Sequence, residues 1–310
     1  MSRKSLNIEV IAPCSPYTPE KLNKGIECLK AYGHRVQIPL PPPQWKHGYL
    51  NGNTSFRIEA IKNALLNQNN DVVWIARGGY GLTPLLPYLK EELSSLKGCP
   101  KVIGFSDVTA LHCFLLSQKN ITSFHGPLAT TLANETQDNI ESILEWLCGD
   151  TKETSYVNLV PRLKHNFNAT YLGRLWGGNL TVLGNLAGTG FLPELPGILF
   201  LEDVGERPYR IDRTLHQLEQ AQAFKQVQAV ILGHFTGCEE PDTGQKVMGP
   251  VPTAKEVLAS HFERLQIPVF DGLPCGHQSP NHVLPVGAYA SIQATSDQAT
   301  LYMTLQSAEG

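Results

Sequence analysis

The chain has 310 residues, 42% of them hydrophobic and 17% charged, with a formal net charge of −3. That composition excludes a disordered or fibrous protein and leaves room for two domains. The balance of charge, with no long run of one sign, disfavours nucleic acid and anionic membrane as partners.

Two hydrophobic periods alternate over the first 130 residues or so. Leu6–Ala12 reads as a strand, Pro19–Tyr32 as a helix capped by Thr18, and His34–Ile38 as a strand. Pro39–Pro43 reads as a short rigid loop, and Ser55–Asn67 has helical spacing at Ile58, Ile61 and Leu65. Asp71–Ala76, Lys101–Phe105 and Ile121–Phe124 are apolar strands, and Asn134–Cys148 is a helix. Strands alternating with helices predict a parallel sheet covered on both faces, with ligands bound beyond the strand C-termini. Residues 1–150 are thus expected to form an N-terminal three-layer domain, and the polar stretch 151–170 a linker. Residues 171–310 are expected to form a smaller mixed α/β domain, with strands at Gly197–Val204, Val227–His234 and Pro268–Gly272. Its helices would be Ile211–Ala221 and Thr253–Leu265, and its tail, Leu284–Leu305, antiparallel strands.

Seven cysteines without a C-x-x-C fit a reducing compartment better than a disulfide framework. The basic start, Met1–Ser5, is followed by an apolar run broken by Asn7 and Glu9, which reads as a strand and not as a signal peptide. With no stretch of 18 apolar residues, the expectation is a cytoplasmic protein.

Ser106 stands where an apolar strand runs into a helix, in Gly104-Phe105-Ser106-Asp107-Val108. A serine on such a turn is held proud of the sheet beside helix N-terminal N–H groups, which suits a nucleophile whose attack creates an oxyanion. The competing reading is an N-cap by Ser106 or Asp107, and Val108 replaces the second glycine of the G-x-S-x-G elbow. His277, after a glycine on a strand-end loop, is a candidate base. Gly197–Glu206 drives Glu202 and Asp203 out of an apolar strand, and either carboxylate could orient that histidine or pair with Arg207, Arg210 or Arg213. Arg77-Gly78-Gly79-Tyr80-Gly81 is neither a P-loop nor a dinucleotide fingerprint, and its N–H groups suit an oxyanion hole. Trp176-Gly177-Gly178-Asn179 displays an aromatic and an amide, with core packing the default for Trp176. The ten histidines show no H-E-x-x-H, no H-x-H and no cysteine–histidine pairing, so neither a metal nor a cofactor is expected.

Taken together these segments resemble the LD-carboxypeptidase family of serine peptidases, which includes muramoyltetrapeptide carboxypeptidases and microcin-resistance hydrolases. The resemblance is carried by Ala12-Pro13-Cys14-Ser15, Arg77–Gly81, Gly104–Asp107 with Thr109, His125-Gly126-Pro127, Gly177–Leu180, Leu201-Glu202-Asp203, Arg207–Arg213 and Gly276-His277. It implies a Ser106–Glu202–His277 triad, an active site between two domains, no metal and a homodimer. Phe105 departs from the tyrosine common there. In this reading the N–H groups of Gly79 and Asp107 hold the oxyanion, and Trp176 and Asn179 line the subsite for a free carboxylate. The expected reaction is cleavage of an L,D peptide bond before a terminal D-amino acid, as in a murein tetrapeptide during cell-wall recycling. Hydrolysis of a peptidyl-nucleotide antibiotic and non-catalytic binding of a small molecule are the alternatives.

Overall fold

The computed structural model describes residues 4–38, 46–162, 169–241 and 249–305. The Pro39–Pro43 loop of the sequence reading lies outside them. The chain forms two compact units: residues 1–152 with 279–287, and residues 153–278 with 288–310.

The first unit holds β1 (Asn7–Ile11), α1 (Pro19–Ala31), β2 (Arg35–Gln37), the short hairpin β3 (Lys46–His47) and β4 (Leu50–Asn51), and α2 (Thr54–Leu66). Next come β5 (Val72–Ile75), α3 (Leu86–Glu92), β6 (Lys101–Gly104), α4 (Thr109–Lys119), β7 (Ser123–His125) and α5 (Gln137–Cys148). Strands β1, β2, β5, β6 and β7 pair in parallel, in the spatial order β7-β6-β5-β1-β2. Val72, Val73, Trp74 and Ile75 of β5 are all fully buried, as a central strand covered on both faces requires. The helices carry local start and stop chemistry. Thr136 caps α5 by accepting from the N–H of Asn139, and Gly149 ends it in the left-handed conformation. Thr18 precedes α1 at the cap position, but its side chain makes no cap bond; Pro19 sets the first turn instead.

The second unit comprises β8 (Glu153–Pro161), β9 (Ala169–Asn179), α6 (Leu180–Leu186), β10 (Gly197–Val204), α7 (Pro208–Gln220), β11 (Val227–Thr236), α8 (Ala254–Arg264) and β12 (Val269–Asp271). After β13 (Leu284–Val286), which belongs to the first unit, β14 (Tyr289–Ala294) and β15 (Ala299–Thr304) complete it. Its strands close into a barrel in the order β10-β11-β12-β8-β15-β14-β9. Strands β9 to β12 run parallel to one another, and β8, β14 and β15 close the ring through antiparallel pairs.

Two expectations are corrected. The stretch given as a linker is largely strand, since 153–161 form β8 and pair with β12 and β15. Its side chains alternate with one face exposed, so the polarity that suggests a linker is that of a half-solvated strand. The tail is also divided, because Leu284–Val286 adds antiparallel to β7 at the edge of the first unit's sheet.

Candidate active site

In the first unit, Ser106 follows the end of β6 after one residue, Phe105, and has φ of +66°. A left-handed conformation in a non-glycine residue costs about 1–3 kcal/mol and persists only where its surroundings enforce it. Neither Ser106 nor Asp107 is a cap here: the cap position falls on Phe105, and no side chain makes a cap bond. Val108 fills the space that the second elbow glycine would open, lying so close to Gly104 that a Cβ there would come within 2.9 Å of Val108 Cγ2. Behind the turn, His112 of α4 is fully buried, its Nε2 2.9 Å from the Gly104 carbonyl and its Nδ1 2.8 Å from Ser123 Oγ. Nε2 must donate to the carbonyl, which leaves Nδ1 to accept from the serine hydroxyl. Burial holds this imidazole neutral, with its pKa lowered to about 4.

The glycine-rich segment lies against this turn. A Cβ on Gly78 would meet Ser106 Cβ at 3.0 Å and Oγ at 3.2 Å, so a side chain there would crowd the hydroxyl. The N–H of Ser15 donates to the carbonyl of Gly78 at 3.2 Å, and the N–H of Tyr80 donates to Ser15 Oγ at 3.2 Å. Arg77 donates to the carbonyl of Pro16. Beneath the loop, the buried Asp107 carboxylate accepts from the N–H of Leu82 at 3.0 Å, and burial pushes its pKa up despite the donors at Leu82, Cys14 and Gly81. Arg57 of α2, also buried, donates to the carbonyls of Pro13 (3.1 Å) and Gly81 (2.8 Å). Asp107 and Arg57 thus fix the loop by its backbone. The N–H of Asp107 itself belongs to the first turn of a helical segment, where no intrahelical acceptor exists.

In the second unit, Glu202 lies near the end of β10 and is fully buried. Its Oε2 is 2.8 Å from His277 Nδ1, and the His277 side chain keeps 21% of its surface exposed. Gly276 makes this approach possible, with φ of +119° and an imaginary Cβ only 3.0 Å from Glu202 Oε2. The loop is tied to β11 through the N–H of His234, which donates to the Cys275 carbonyl at 2.8 Å. Of the two carboxylates left open by the sequence, the structure pairs Glu202 with the histidine and gives Asp203 other work. Asp203 accepts from Asn179 Nδ2 (2.9 Å) and from the Thr181 N–H (3.0 Å) and hydroxyl (2.8 Å). Burial, with Glu202 beside it, raises its pKa to about 6.

Two expected subsite residues are placed differently. Asn179 is buried with both ends of its amide engaged, Nδ2 on Asp203 and Oδ1 accepting from the Val182 N–H at 3.1 Å, so it caps α6. Trp176 is 2% exposed and packs in the core, its Nε1 turned toward Gly197. The indole offers no open face on which a nucleobase would stack. Sequence reasoning missed Arg57, His112 and the anchoring role of the Asp107 side chain. Arg57 had a signal: it shares a helical stripe with Ile61 and Leu65, where an arginine must be buried and paired.

Asp212, His216 and His261 form a separate group that could hold a metal ion, in a chain whose sequence spacing suggested no ligand set. Among the described residues, no helix is long and apolar enough to cross a membrane.

Comparison with known proteins defines the class. The LD-carboxypeptidase N-terminal domain model matches residues 8–126, and the LD-carboxypeptidase C-terminal domain model matches residues 172–292. The chain belongs to the LD-carboxypeptidase family, a family of hydrolases. It is 35% identical over 283 residues to a putative carboxypeptidase of Synechocystis sp., covering 90% of this chain and 88% of that one. To the murein tetrapeptide carboxypeptidase of Pseudomonas aeruginosa it is 28% identical over 303 residues, covering 92% of each. The crystal structure of muramoyltetrapeptide carboxypeptidase from Oxalobacter formigenes superposes with a TM-score of 0.81 at 30% identity, over 96% of this chain and 98% of that one.

Proposed function

We propose that the chain is a serine-type LD-carboxypeptidase that removes the terminal D-amino acid from a murein tetrapeptide. The observation that carries the serine assignment is the left-handed Ser106, a strained residue with no capping duty, set against a glycine segment tied down from below. In this reading Ser106 Oγ attacks the scissile carbonyl and His277 Nε2 takes its proton. Glu202 holds the Nδ1–H tautomer and stabilises the imidazolium. The tetrahedral oxyanion accepts from the N–H groups of Gly79 and Asp107. The imidazolium then protonates the leaving amine, D-alanine departs, and water repeats the sequence on the acyl-enzyme. The family membership and the murein-named relatives support the substrate class. The seven free cysteines support a cytoplasmic site of action.

The test compares three peptides by mass spectrometry: a tetrapeptide ending in D-Ala, its C-terminal amide, and the same peptide ending in L-Ala. Hydrolysis confined to the first is the expected result. Similar rates on all three would replace the carboxypeptidase reading by a general acyl hydrolase.

A further inference from the structure

Helices α7 and α8 of the second unit pack against each other and bring together a set of side chains that the proposed reaction does not use. Asp212 and His216 stand one turn apart on α7, so they share a face, with Asp212 Oδ1 and His216 Nε2 3.6 Å apart. His261 comes from α8, its ring centroid 5.0 Å from that of His216 with the planes at 77°. One ligand atom from each of the three lies within 4.8 Å of the others. The His261 side chain is 2% exposed, and its Nε2 has no hydrogen-bond partner among the described residues. Its closest carboxylate oxygen, Glu219 Oε2, is 3.4 Å away. A buried ring nitrogen without a partner is costly unless something occupies its lone pair or its proton.

From this convergence we propose that Asp212, His216 and His261 form a binding site for a zinc-type divalent transition metal, which staples α7 to α8. Two imidazoles and one carboxylate are a borderline donor set that suits zinc and not magnesium or calcium, which take oxygen ligands. Tetrahedral zinc with bonds of about 2.0–2.1 Å sets its ligand atoms about 3.3 Å apart. The Asp212–His216 pair is already near that spacing. Both side chains are about half exposed and free to rotate toward the buried His261, which stays fixed. Burial lowers the His261 pKa against the pull of Glu219, which favours the neutral imidazole, and a metal ion bound at Nε2 would displace any proton there. Glu219 is engaged by Arg264, with Nη1 2.9 Å from Oε1 and Nη2 2.5 Å from Oε2. Its Oε2 lies 3.5 Å from His216 Nδ1, placed to orient that ring from behind, and 3.4 Å from His261 Nε2, on the side where the cation would sit. Three protein ligands leave a fourth position for water. The site stands on its own side chains and does not depend on the peptidase reading.

The test uses the full chain, stripped with EDTA and dialysed, titrated calorimetrically with zinc chloride and, separately, magnesium chloride. Thermal unfolding is followed in parallel. Expected are one zinc per chain, no magnesium binding, and a midpoint rise of about 5 °C at a hundredfold excess of zinc over its Kd. His216→Ala and Asp212→Asn, both at exposed positions, should unfold in metal-free buffer within about 1 °C of the parent, in line with surface substitutions. Both should bind zinc at least about tenfold more weakly, about 1.4 kcal/mol, and so lose at least about half of the zinc-dependent rise at the same zinc concentration. Absence of stoichiometric zinc binding would overturn the proposal. So would binding and stabilisation that persist in both variants, which would place the zinc on the partly exposed cysteines Cys28, Cys99 or Cys148.

Discussion

Replacing Glu202 by glutamine changes one charged oxygen to an amide at nearly constant volume, in a position with no solvent exposure. The bond to His277 is a charge-assisted one at 2.8 Å, and losing such a bond costs about 1.5–3 kcal/mol, or about 10- to 160-fold in rate. A second effect comes from the tautomer. If the amide turns its NH2 toward Nδ1, that nitrogen must accept, the proton moves to Nε2, and the base is lost. In serine proteases an amide at the orienting carboxylate costs about 10⁴, so kcat for Glu202→Gln should fall by about 10² to 10⁴. Stability should move the other way or stay constant. Glu202 Oε1 is buried without a hydrogen-bond partner among the described residues, and a neutral side chain relieves the cost of that charge. Single-turnover release of D-alanine, measured beside thermal unfolding of the same samples, separates the two effects. Turnover within threefold of the parent would refute the orienting role. A lost activity that tracks a collapsed unfolding midpoint would mean that Glu202 is structural.

Ser106→Gly should abolish hydrolysis while raising stability by about 1 kcal/mol, because glycine takes φ of +66° without strain; an unfolding midpoint below that of the parent would disprove strain at this turn. The folded chain should lose stability as pH rises from about 4 to 6. Asp203 has its pKa raised to about 6 from an ordinary 3.8, so the folded state binds the extra proton in that window, and releasing it costs about 3 kcal/mol. In Asp203→Asn that segment of the pH–stability curve should flatten, and an unchanged slope would assign it to another group. Arg57→Met should lower kcat for the D-Ala peptide by about tenfold or more by releasing the carbonyls of Pro13 and Gly81, with Ser106 labelling by an active-site-directed fluorophosphonate slowed in parallel. EDTA should leave peptide hydrolysis unchanged, since none of the proposed catalytic groups is a metal ligand; inhibition reversed by zinc would require the histidines to be reassigned.

The alternation of strand and helix in the first unit was readable because each element buries a stripe or a face of its own residues. Closure of the second unit into a barrel was not. Strand β8 is mostly exposed along Glu153–Pro161, and a strand held largely by backbone pairing with β12 and β15 leaves little hydrophobic signal. The three residues of β13 join β7 about 160 positions upstream in sequence. Nothing in Leu284-Pro285-Val286 indicates which sheet receives it, since a pairing partner is a property of the folded chain.

At the candidate site, residues set by local geometry were legible and residues set by distant partners were not. Ser106 announces itself through the turn it occupies, and Gly276 through the loop that needs it. Asn179 is the instructive failure. An amide displayed after two glycines resembles a ligand donor, yet an asparagine just before a helix satisfies Val182 N–H directly, and Asp203, 24 positions on, takes its other end. Position before a helix governs such an asparagine more than display by glycine does, because helix N–H groups without acceptors need them. The same reasoning explains Asp107. Its place at a helix start suggests a cap or a backbone role, but a buried carboxylate recruits the donors that the fold leaves over, here the N–H groups of Gly81 and Leu82. The residue after the proposed nucleophile thereby fixes the loop whose Gly79 N–H is proposed to meet the oxyanion, and the strain at Ser106 is held by contacts that sequence spacing alone does not reveal.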